Sequence, residues 1–338
     1  MRTGVSRGRL VLLLAPAAFV VSGCDKTQNA LAPKSHQARD IASLFWWMMG
    51  GAWIGLGIVV ALLLLAWKRS HRQGGGREAE GDKPGERLGW YVVVGAGIVV
   101  PIVLLSTLFV VSDLFVIKTT QAPAANATSR TVLVIGHQWW WEVRYPGTKA
   151  VTANEIHIPV RTPVRVEVRT DDVIHSFWVP QLNRKIDTLP GRTSAIELYA
   201  DAAGRYRGQC AEFCGLQHAH MGLYVFAEPR AEFDAWLANE SKPATAVASA
   251  GRDEFLHGAC ASCHAIRGTS ASGDTGPDLT HVASRTTIGA LVLPNGRDQL
   301  SEWIRDSQRF KPGNHMPSFP ELSSSQLAAL VAYLESLK

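Results

Sequence analysis

Two short stretches of this 338-residue sequence hold most of the side chains that could bind a metal or a prosthetic group. The first, residues 210–221, reads CAEFCGLQHAHM and places thiols, imidazole and a thioether in one short segment. The second, residues 260–264, reads CASCH and matches the pattern through which haem c is attached covalently. A soft-ligand metal cluster and a covalent haem on one chain together indicate electron transfer.

The first segment contains the ligand types that copper prefers. Cys210, Cys214, His218 and Met221 offer thiolate, imidazole and thioether groups, which select copper over magnesium or calcium. One thiolate would make a blue-copper site, whereas two thiolates can bridge two copper ions that share one electron. Zinc is an alternative that the methionine and the spacing fit poorly. A disulfide between the two cysteines is the alternative in an oxidising compartment.

The cluster needs a second imidazole from elsewhere in the chain. His175 is the candidate because it lies at a strand end, in the segment DDVIHSFWVP, just before a proline turn. His137 and His157 are interpreted as ordinary polar positions. His220 lies between two candidate ligands, but we expect it to point off at a different angle, so it is left out of the predicted ligand set.

The CASCH pattern predicts how a haem is held. Cys260 and Cys263 would bond the haem vinyl groups, and His264 would be the proximal iron ligand. The same spacing can also occur by chance in a thioredoxin-like site or a zinc half-site.

Two later motifs make residues 251–338 resemble a class I cytochrome c. The segment GPDL resembles the loop whose proline carbonyl holds the proximal histidine, here Pro277 and His264. The segment NHMPSF resembles the loop that supplies the distal ligand, here Met316. Met/His ligation raises the reduction potential and leaves no open site for oxygen. A core methionine, and ligation by His315 instead, are the alternatives.

Short strands are predicted to position the copper segment. Alternating apolar and polar residues indicate half-buried strands at Thr131–Ile135, Val164–Val168, Ser194–Tyr199 and Gly222–Phe226. Several such strands separated by proline and glycine turns indicate a β-sandwich or barrel.

Helices and a linker are predicted around the haem segment. Residues 230–239 form a helix candidate, and the Ala/Pro/Ser-rich residues 241–250 are typical of a flexible tether. Residues 323–326 form a capping-box sequence. It opens a helix with apolar residues on one face, as expected for the closing helix of this fold: Leu327, Leu330, Val331 and Leu334.

Two long apolar runs, Ile41–Trp67 and Trp90–Val111, predict membrane-spanning helices because each reaches the ~20 residues needed to cross a bilayer. A buried pair of helices in a soluble protein is the alternative, and it suits these lengths poorly. The short basic loop Lys68–Arg87 is expected on the cytoplasmic side. Both ends of the hairpin, and everything after Val111, then lie in the periplasm.

The N-terminus is typical of a signal peptide, with a basic start and a short apolar core. It ends in VSGC, which resembles a bacterial lipobox whose cysteine, Cys24, becomes the lipid-modified first residue of the mature chain. A lipid there would add a membrane anchor. An ordinary signal peptide with a stray cysteine is the alternative.

The net charge of +5 does not indicate a nucleic-acid partner. Residues 1–87 hold twelve Lys/Arg against six Asp/Glu, whereas the rest of the chain is nearly balanced. The basic excess therefore lies in the leader and around the membrane segments, as the positive-inside rule predicts. A basic aromatic stripe that could bind nucleic acid is missing from the sequence.

The copper segment, the hairpin and the motifs GHQWWW and DVIHSFWVP resemble subunit II of cytochrome c oxidase, over roughly residues 36–240. The resemblance implies a cupredoxin sandwich with a dicopper A centre. It also implies the ligand roles: Cys210 and Cys214 bridge both ions, His175 and Met221 complete one, and His218 and the Glu212 carbonyl complete the other. The Glu212 side chain would reach a magnesium ion at the interface with subunit I.

The same resemblance assigns roles to the aromatic run. Trp139 matches the family's surface residue through which electrons enter the copper centre. Trp140 stands where the family usually has tyrosine, so a hydrogen bond from a Tyr hydroxyl is impossible, and Trp141 is interpreted as core packing. Glu86 is a candidate for a carboxylate at which protons enter, although a solvated loop charge is the favoured interpretation.

The predicted chain is multidomain. It has a signal peptide (1–23), a transmembrane hairpin (36–117), an all-β cupredoxin dicopper domain (118–240), a linker (241–250) and an all-α cytochrome c domain (251–338). As subunit II of cytochrome c oxidase in a bacterial plasma membrane, it would pass electrons from haem c through copper to subunit I, where oxygen is reduced. The implied partners are subunits I and III, a donor such as a cytochrome c or the bc complex, and lipid.

Two other functions are compatible with parts of the sequence. A dicopper subunit of a nitric oxide or nitrous oxide reductase would share the copper motif. A copper-binding or assembly lipoprotein would share the copper loop and the lipobox, but it needs no haem.

Overall fold

The computed structural model describes residues 28–72, 83–124, 130–245 and 249–338. The predicted signal peptide and Cys24 lie outside these ranges. The chain divides into two compact units, one formed by Arg39–Gln121 and the other by Ala122–Lys338 together with the segment that ends at Ala38.

The first unit contains two helices that are long and apolar enough to cross a membrane. Helix α1 spans His36–Arg72, and the second span consists of α2 (Lys83–Val94) and α3 (Val100–Ser112), each followed by a π-helical turn. The most apolar window of each span is 0% buried, so its side chains face outward, as lipid-facing side chains do. The predicted loop at 68–87 is shorter than expected, because α1 continues to Arg72 and α2 begins at Lys83.

The π-helical turn at Gly95–Val99 has a local cause in the sequence. Pro101 lacks an N–H and cannot donate to the carbonyl one helical turn earlier. The neighbouring Val100 N–H bonds to Gly95 O, one residue farther back than in a regular α-helix. The second span therefore widens at its glycine pair without ending.

Ten strands between Thr131 and Glu228, a stretch described without a gap, form two five-stranded sheets. The sheet orders are β3-β2-β1-β5-β8 and β4-β10-β9-β6-β7. The strands are β1 Thr131–His137, β2 Trp140–Arg144, β3 Val151–Ala153, β4 Glu155–Pro159, β5 Val164–Thr170, β6 His175–Trp178, β7 Ile186–Thr188, β8 Ser194–Leu198, β9 Gly204–Cys210 and β10 Gly222–Glu228. Strands β1 and β5, and β4 and β10, pair in parallel, and their other neighbours are antiparallel.

Strand β5 shows why the two sheets face each other. Val164, Val166 and Val168 are buried to 1% exposure or less, while Arg165 and Glu167 between them are partly exposed. Because side chains alternate between the faces of a strand, one face of β5 enters the core and the other meets solvent. The predicted β-sandwich is confirmed, and α4 (Arg230–Glu240) packs Phe233 into its core.

The C-terminal segment is helical. Its helices are α5 Ala250–His257, α6 Arg297–Arg305, α7 Ser307–Phe310 and α8 Ser324–Glu335, with a short two-stranded ribbon of β11 (Thr287–Ile288) and β12 (Leu293–Pro294). Helices α5 and α8 cross so closely that a Cβ at Gly251 would lie 1.9 Å from Ala329 O. The capping box at Ser323 and Gln326 is present as predicted, and the predicted apolar face of α8 is buried.

The predicted tether is held to the haem segment over its described first half. Ala244 N donates to Arg267 O at 2.9 Å, and a ring nitrogen of His281 lies 3.0 Å from Lys242 O. Residues 246–248 are outside the description. The copper segment and the haem segment belong to one compact unit.

Candidate metal centre and haem pocket

The copper loop, residues 211–221, connects two adjacent antiparallel strands. Strand β9 ends at Cys210, β10 begins at Gly222, and Cys210 N donates to Met221 O at 2.9 Å, which closes the base of the loop. Strand β6 pairs with β9 at Phe177 and Cys210, and His175 lies at the start of β6. The sheet hydrogen bonds therefore place the loop beside the one predicted ligand that comes from elsewhere.

The predicted side-chain ligands converge on the two cysteines. Cys210 Sγ and Cys214 Sγ are 3.7 Å apart, which is beyond the ~2.05 Å of a disulfide. Cys214 Sγ lies 3.6 Å from His218 Nδ1 and 3.8 Å from Met221 Sδ. Cys210 Sγ lies 3.9 Å from His175 Nδ1. Two sulfurs in the centre with an imidazole on each side suit two soft cations.

A main-chain oxygen joins this set. Cys210 Sγ is 3.2 Å from Glu212 O, the carbonyl that the resemblance implied as a ligand. The Glu212 side chain points elsewhere and pairs with Lys185 at 3.7 Å on the surface. The magnesium role of that carboxylate stays a prediction.

The two thiols are buried beside the other candidate ligands and share a hydrogen bond. Cys210, Met221 and His175 are 0% exposed and Cys214 is 4% exposed. The hydrogen bond from Cys214 lowers the pKa of the Cys210 thiol, and the same contact raises the pKa of Cys214. The pair therefore holds one proton strongly, and a metal ion that binds both sulfurs would displace it.

His175 is oriented by an acidic residue that the sequence analysis did not single out. Its Nε2 lies 2.8 Å from Asp172 Oδ1, which leaves Nδ1 facing Cys210. Burial alone would lower the pKa of His175, but the hydrogen bonds to Asp172 and Cys210 outweigh it, and the pKa is raised. A Cβ at Gly136 would lie 2.8 Å from the His175 ring, so this position requires glycine.

The other histidines near the site have different partners. His137 pairs with Glu142 at 3.1 Å, and His157 pairs with Glu228 at 3.2 Å. His220 Nδ1 lies 2.7 Å from Gln217 Oε1 rather than facing the sulfurs.

Trp139 is in direct contact with the copper loop. Its indole N–H donates to Cys214 O at 2.9 Å, and Gly215 (φ +113°) lets the ring lie close, because a Cβ there would be 3.1 Å from it. The sequence predicted a surface residue, but Trp139 is only 7% exposed and belongs to the core cluster of the sandwich. Trp140 stacks on His137, and Trp141 is fully buried, as interpreted from the sequence.

The haem motif borders a cavity of about 250 Å³. Cys260, Cys263, His264 and Met316 all line it. His264 Nδ1 lies 2.8 Å from Pro277 O, so the ring is oriented with Nε2 available for iron. Burial lowers the pKa of His264, which keeps the imidazole in the neutral form that binds metals.

The Met316 loop is fixed by hydrogen bonds on both sides of the methionine. Met316 N donates to Asn314 Oδ1 at 2.8 Å, and Ser307 Oγ donates to Met316 O at 2.8 Å. His315, the alternative ligand, is exposed, and its ring lies 5.7 Å from that of Trp139. With thiols, imidazole and thioether around an apolar cavity, the residues fit a haem c.

The copper domain supplies part of the wall of the haem cavity. Gln138, Trp139, Trp140 and Asn154 line it together with residues of the haem segment. Trp139 therefore borders the cavity and also bonds to the copper loop.

Lys311, which the sequence analysis did not single out, is a buried residue whose amino group bonds to carbonyls of both segments. An isolated lysine in a loop has no periodic or motif signal that marks it as buried. Glu86 lies in helix α2 rather than in a loop, and its side chain is outside the description.

Comparisons with known proteins agree with both halves of the site. Residues 149–227 match the family "Cytochrome C oxidase subunit II, periplasmic domain", and residues 248–338 match the family "Cytochrome c". A cytochrome c oxidase subunit 2 from Alkalihalophilus pseudofirmus is 35% identical over 331 residues, which cover 94% of each chain. One from Bacillus subtilis is 28% identical and covers 99% of each chain.

Among solved structures, the periplasmic domain of subunit II of cytochrome oxidase from Bradyrhizobium japonicum is 31% identical, with a TM-score of 0.33. The match covers 33% of this chain and 94% of that one.

Proposed function

Because this chain belongs to the cytochrome c oxidase subunit II family and carries a cytochrome c domain, we propose that it conducts electrons from a covalent haem c to a dicopper centre, and on to the subunit that reduces oxygen. As part of a haem–copper oxidase it serves an oxidoreductase complex. The observation that carries the proposed route is the position of Trp139, which borders the haem cavity and bonds to the copper loop.

The copper domain would hold two ions between its two thiolates. When bound, the pair would accept and release one electron at a time. His175 and Met221 would complete one ion, and His218 and the Glu212 carbonyl the other. The strands do the positioning, because the pairing of β6 with β9 places His175 beside Cys210.

The haem segment would attach its cofactor through Cys260 and Cys263. His264 and Met316 would hold the iron, and the bound haem c would supply one-electron chemistry. Pro277 O fixes the His264 ring by accepting a hydrogen bond from Nδ1–H, and the apolar cavity would exclude water from the haem.

Trp139 would provide a protein path between the two centres. Its ring is shielded from solvent, and its N–H donates to the backbone carbonyl of Cys214. An indole held between the cofactors fits electron transfer within the chain better than capture of a diffusing partner.

The remaining parts of the prediction concern the membrane and the partners. The two apolar helices fit a hairpin in the plasma membrane, with the metal domains outside and Cys24 as a lipid anchor. Subunits I and III would bind the hairpin and the copper domain, a cytochrome c or the bc complex would reduce the haem, and Glu212 would reach magnesium at the subunit I interface. The nitric oxide reductase alternative is not favoured, because the relatives are cytochrome c oxidase subunits.

The proposal is tested on the purified full-length chain by optical and electron paramagnetic resonance spectroscopy. We expect a mixed-valence signal from the copper pair and a low-spin haem c band. In Trp139→Phe both spectra should remain while the transfer from haem to copper slows, and Trp140→Phe is the matched control. A blue-copper or copper-free spectrum would overturn the dicopper assignment, and an unchanged rate in Trp139→Phe would overturn the route.

A further inference from the structure

Lys311 is a buried lysine that joins the two metal domains. The residue is 3% exposed, although it lies in a loop between α7 and the Met316 segment. Its Nζ donates to Trp139 O at 2.6 Å, His220 O at 2.8 Å and Gly289 O at 3.1 Å. Two of these carbonyls belong to the copper domain and one to the haem domain. Its amino group therefore has three carbonyl partners, and burial lowers the pKa of Lys311 to about 7.

The position of these carbonyls makes the contact specific. Trp139 is the residue between the two cofactor sites, and His220 precedes the candidate ligand Met221 in the copper loop. Lys311 thus connects the haem domain to two backbone positions of the copper domain, Trp139 and His220. A buried amino group without partners would be strongly unfavourable. Separating the domains would break these hydrogen bonds, so the bonds favour the docked arrangement.

Neighbouring contacts reinforce the same interface. Gln217 Nε2 donates to Pro312 O at 2.6 Å, next to Lys311 in the chain. At a separate point, Glu155 Oε1 of the copper domain accepts from Thr286 N at 2.7 Å and from Thr286 Oγ1 at 2.6 Å. The haem domain is therefore bound at points well apart in the copper-domain sequence.

A turn with unfavourable backbone angles contacts the copper domain beside Lys311. Gly289, Ala290 and Leu291 all have positive φ, at 65°, 62° and 72°. For alanine and leucine this conformation is unfavourable and requires support from the surroundings. The support comes from Gly222, whose N–H donates to Ala290 O at 3.3 Å and whose missing Cβ leaves room for Leu291.

We propose that Lys311 is a positioning residue that locks the haem domain onto the copper domain, so that the haem cavity stays closed against Trp139. The consequence for electron transfer rests on the function proposed above, whereas the locking itself does not. Because the amino group binds uncharged carbonyls away from water, salt should screen the contact little. Docking through Lys311 would therefore differ from docking between exposed charges.

The first test measures docking in the full-length protein without reference to activity. Hydrogen–deuterium exchange is followed in peptides that cover 215–224 and 286–293, in wild type, Lys311→Met and Lys338→Met. Lys338 is an exposed lysine of the same domain and is the matched control. We expect exchange in both peptides to be faster by about tenfold or more in Lys311→Met, since three hydrogen bonds between the domains are lost, and unchanged in Lys338→Met.

The second test separates positioning from folding. In Lys311→Met the haem absorption band and the reduction of haem by a small reductant should match wild type. The transfer from haem to copper should slow by about tenfold or more, in proportion to the lost docked population. Lys311→Gln, which keeps two N–H donors, should give intermediate values and decides the question if Lys311→Met fails to load haem.

Unchanged exchange protection in a haem-loaded variant would overturn the proposal. Loss of protection without any slowing would leave the lock in place and overturn the route through Trp139 instead, so the two claims can fail separately.

Discussion

The copper site and the haem site differ in how much of the molecule builds them. Apart from His175, the candidate copper ligands come from the strand end at Cys210 and the loop that follows it, between two hydrogen-bonded strands. The candidate haem ligands His264 and Met316 come from separate loops, and the copper domain closes part of the cavity between them. The copper site is thus formed by the sandwich alone, whereas the haem site depends on its own cofactor and on a neighbouring domain.

This difference predicts how far each site depends on the rest of the molecule. A site built by strands needs only those strands, so the copper centre should survive the loss of the haem domain. A site that surrounds about 250 Å³ of apolar space is stabilised by the group that fills it. The three predictions below test this asymmetry, beginning with the largest effect.

Removing both haem thiols should have the largest effect. In Cys260→Ala/Cys263→Ala covalent attachment is abolished, and we expect the haem domain to lose its cooperative thermal transition, while the copper signal remains. The measurements are haem staining of the denatured chain, calorimetry and electron paramagnetic resonance.

The matched control removes the copper thiols, in Cys210→Ala/Cys214→Ala. This variant should lose copper but keep the haem band. Loss of copper binding in the haem-free variant would show that the two sites form as one, and the comparison above would be wrong.

An intermediate effect is expected at Asp172, which orients the His175 ring at 2.8 Å. Asp172→Asn removes the negative charge behind the imidazole and should weaken copper binding by about 10- to 100-fold. Competition against a copper chelator measures the change. Asp171→Asn is the control, since the neighbouring Asp171 lies on the surface near Arg169. Equal affinities in the two variants would rule out the orienting role.

The smallest effect is expected at the N-terminal end of α8. Ser323→Ala removes the side chain that accepts from Gln326 N and should lower the free energy of unfolding of the haem domain by ~1 kcal/mol. Thermal unfolding followed in the haem band measures this, with Ser324→Ala as control. The copper domain should not respond. A shift in the copper-domain transition would contradict the separation of the two regions.

Much of each site was predictable because its signals are local. Each of these motifs is short: the CASCH and copper-loop spacings, the capping box, and the GPDL segment that contains Pro277. The alternation in β5 and the lengths of the apolar runs likewise predict elements correctly, since one strand or one helix carries the whole pattern.

The features that the sequence did not predict depend on contacts between distant segments. Lys311 meets Trp139 and His220 only after both domains have folded and docked. Trp139 is buried, whereas the family resemblance implied a surface position. The first residues of the Ala/Pro/Ser-rich segment, which is predicted to be a flexible tether, hydrogen-bond to the haem domain. Composition describes a segment's own preferences and does not reveal the surface that binds it.

The most direct test of electron transfer within the chain is the rate at which a photoreduced haem passes its electron to copper, measured across protein concentrations and an ionic-strength series. The docked structure predicts a first-order rate that is independent of concentration and nearly unchanged by salt, because haem and copper are held together by buried contacts. A rate that rises with protein concentration, or that falls steeply as salt is added, would contradict the account.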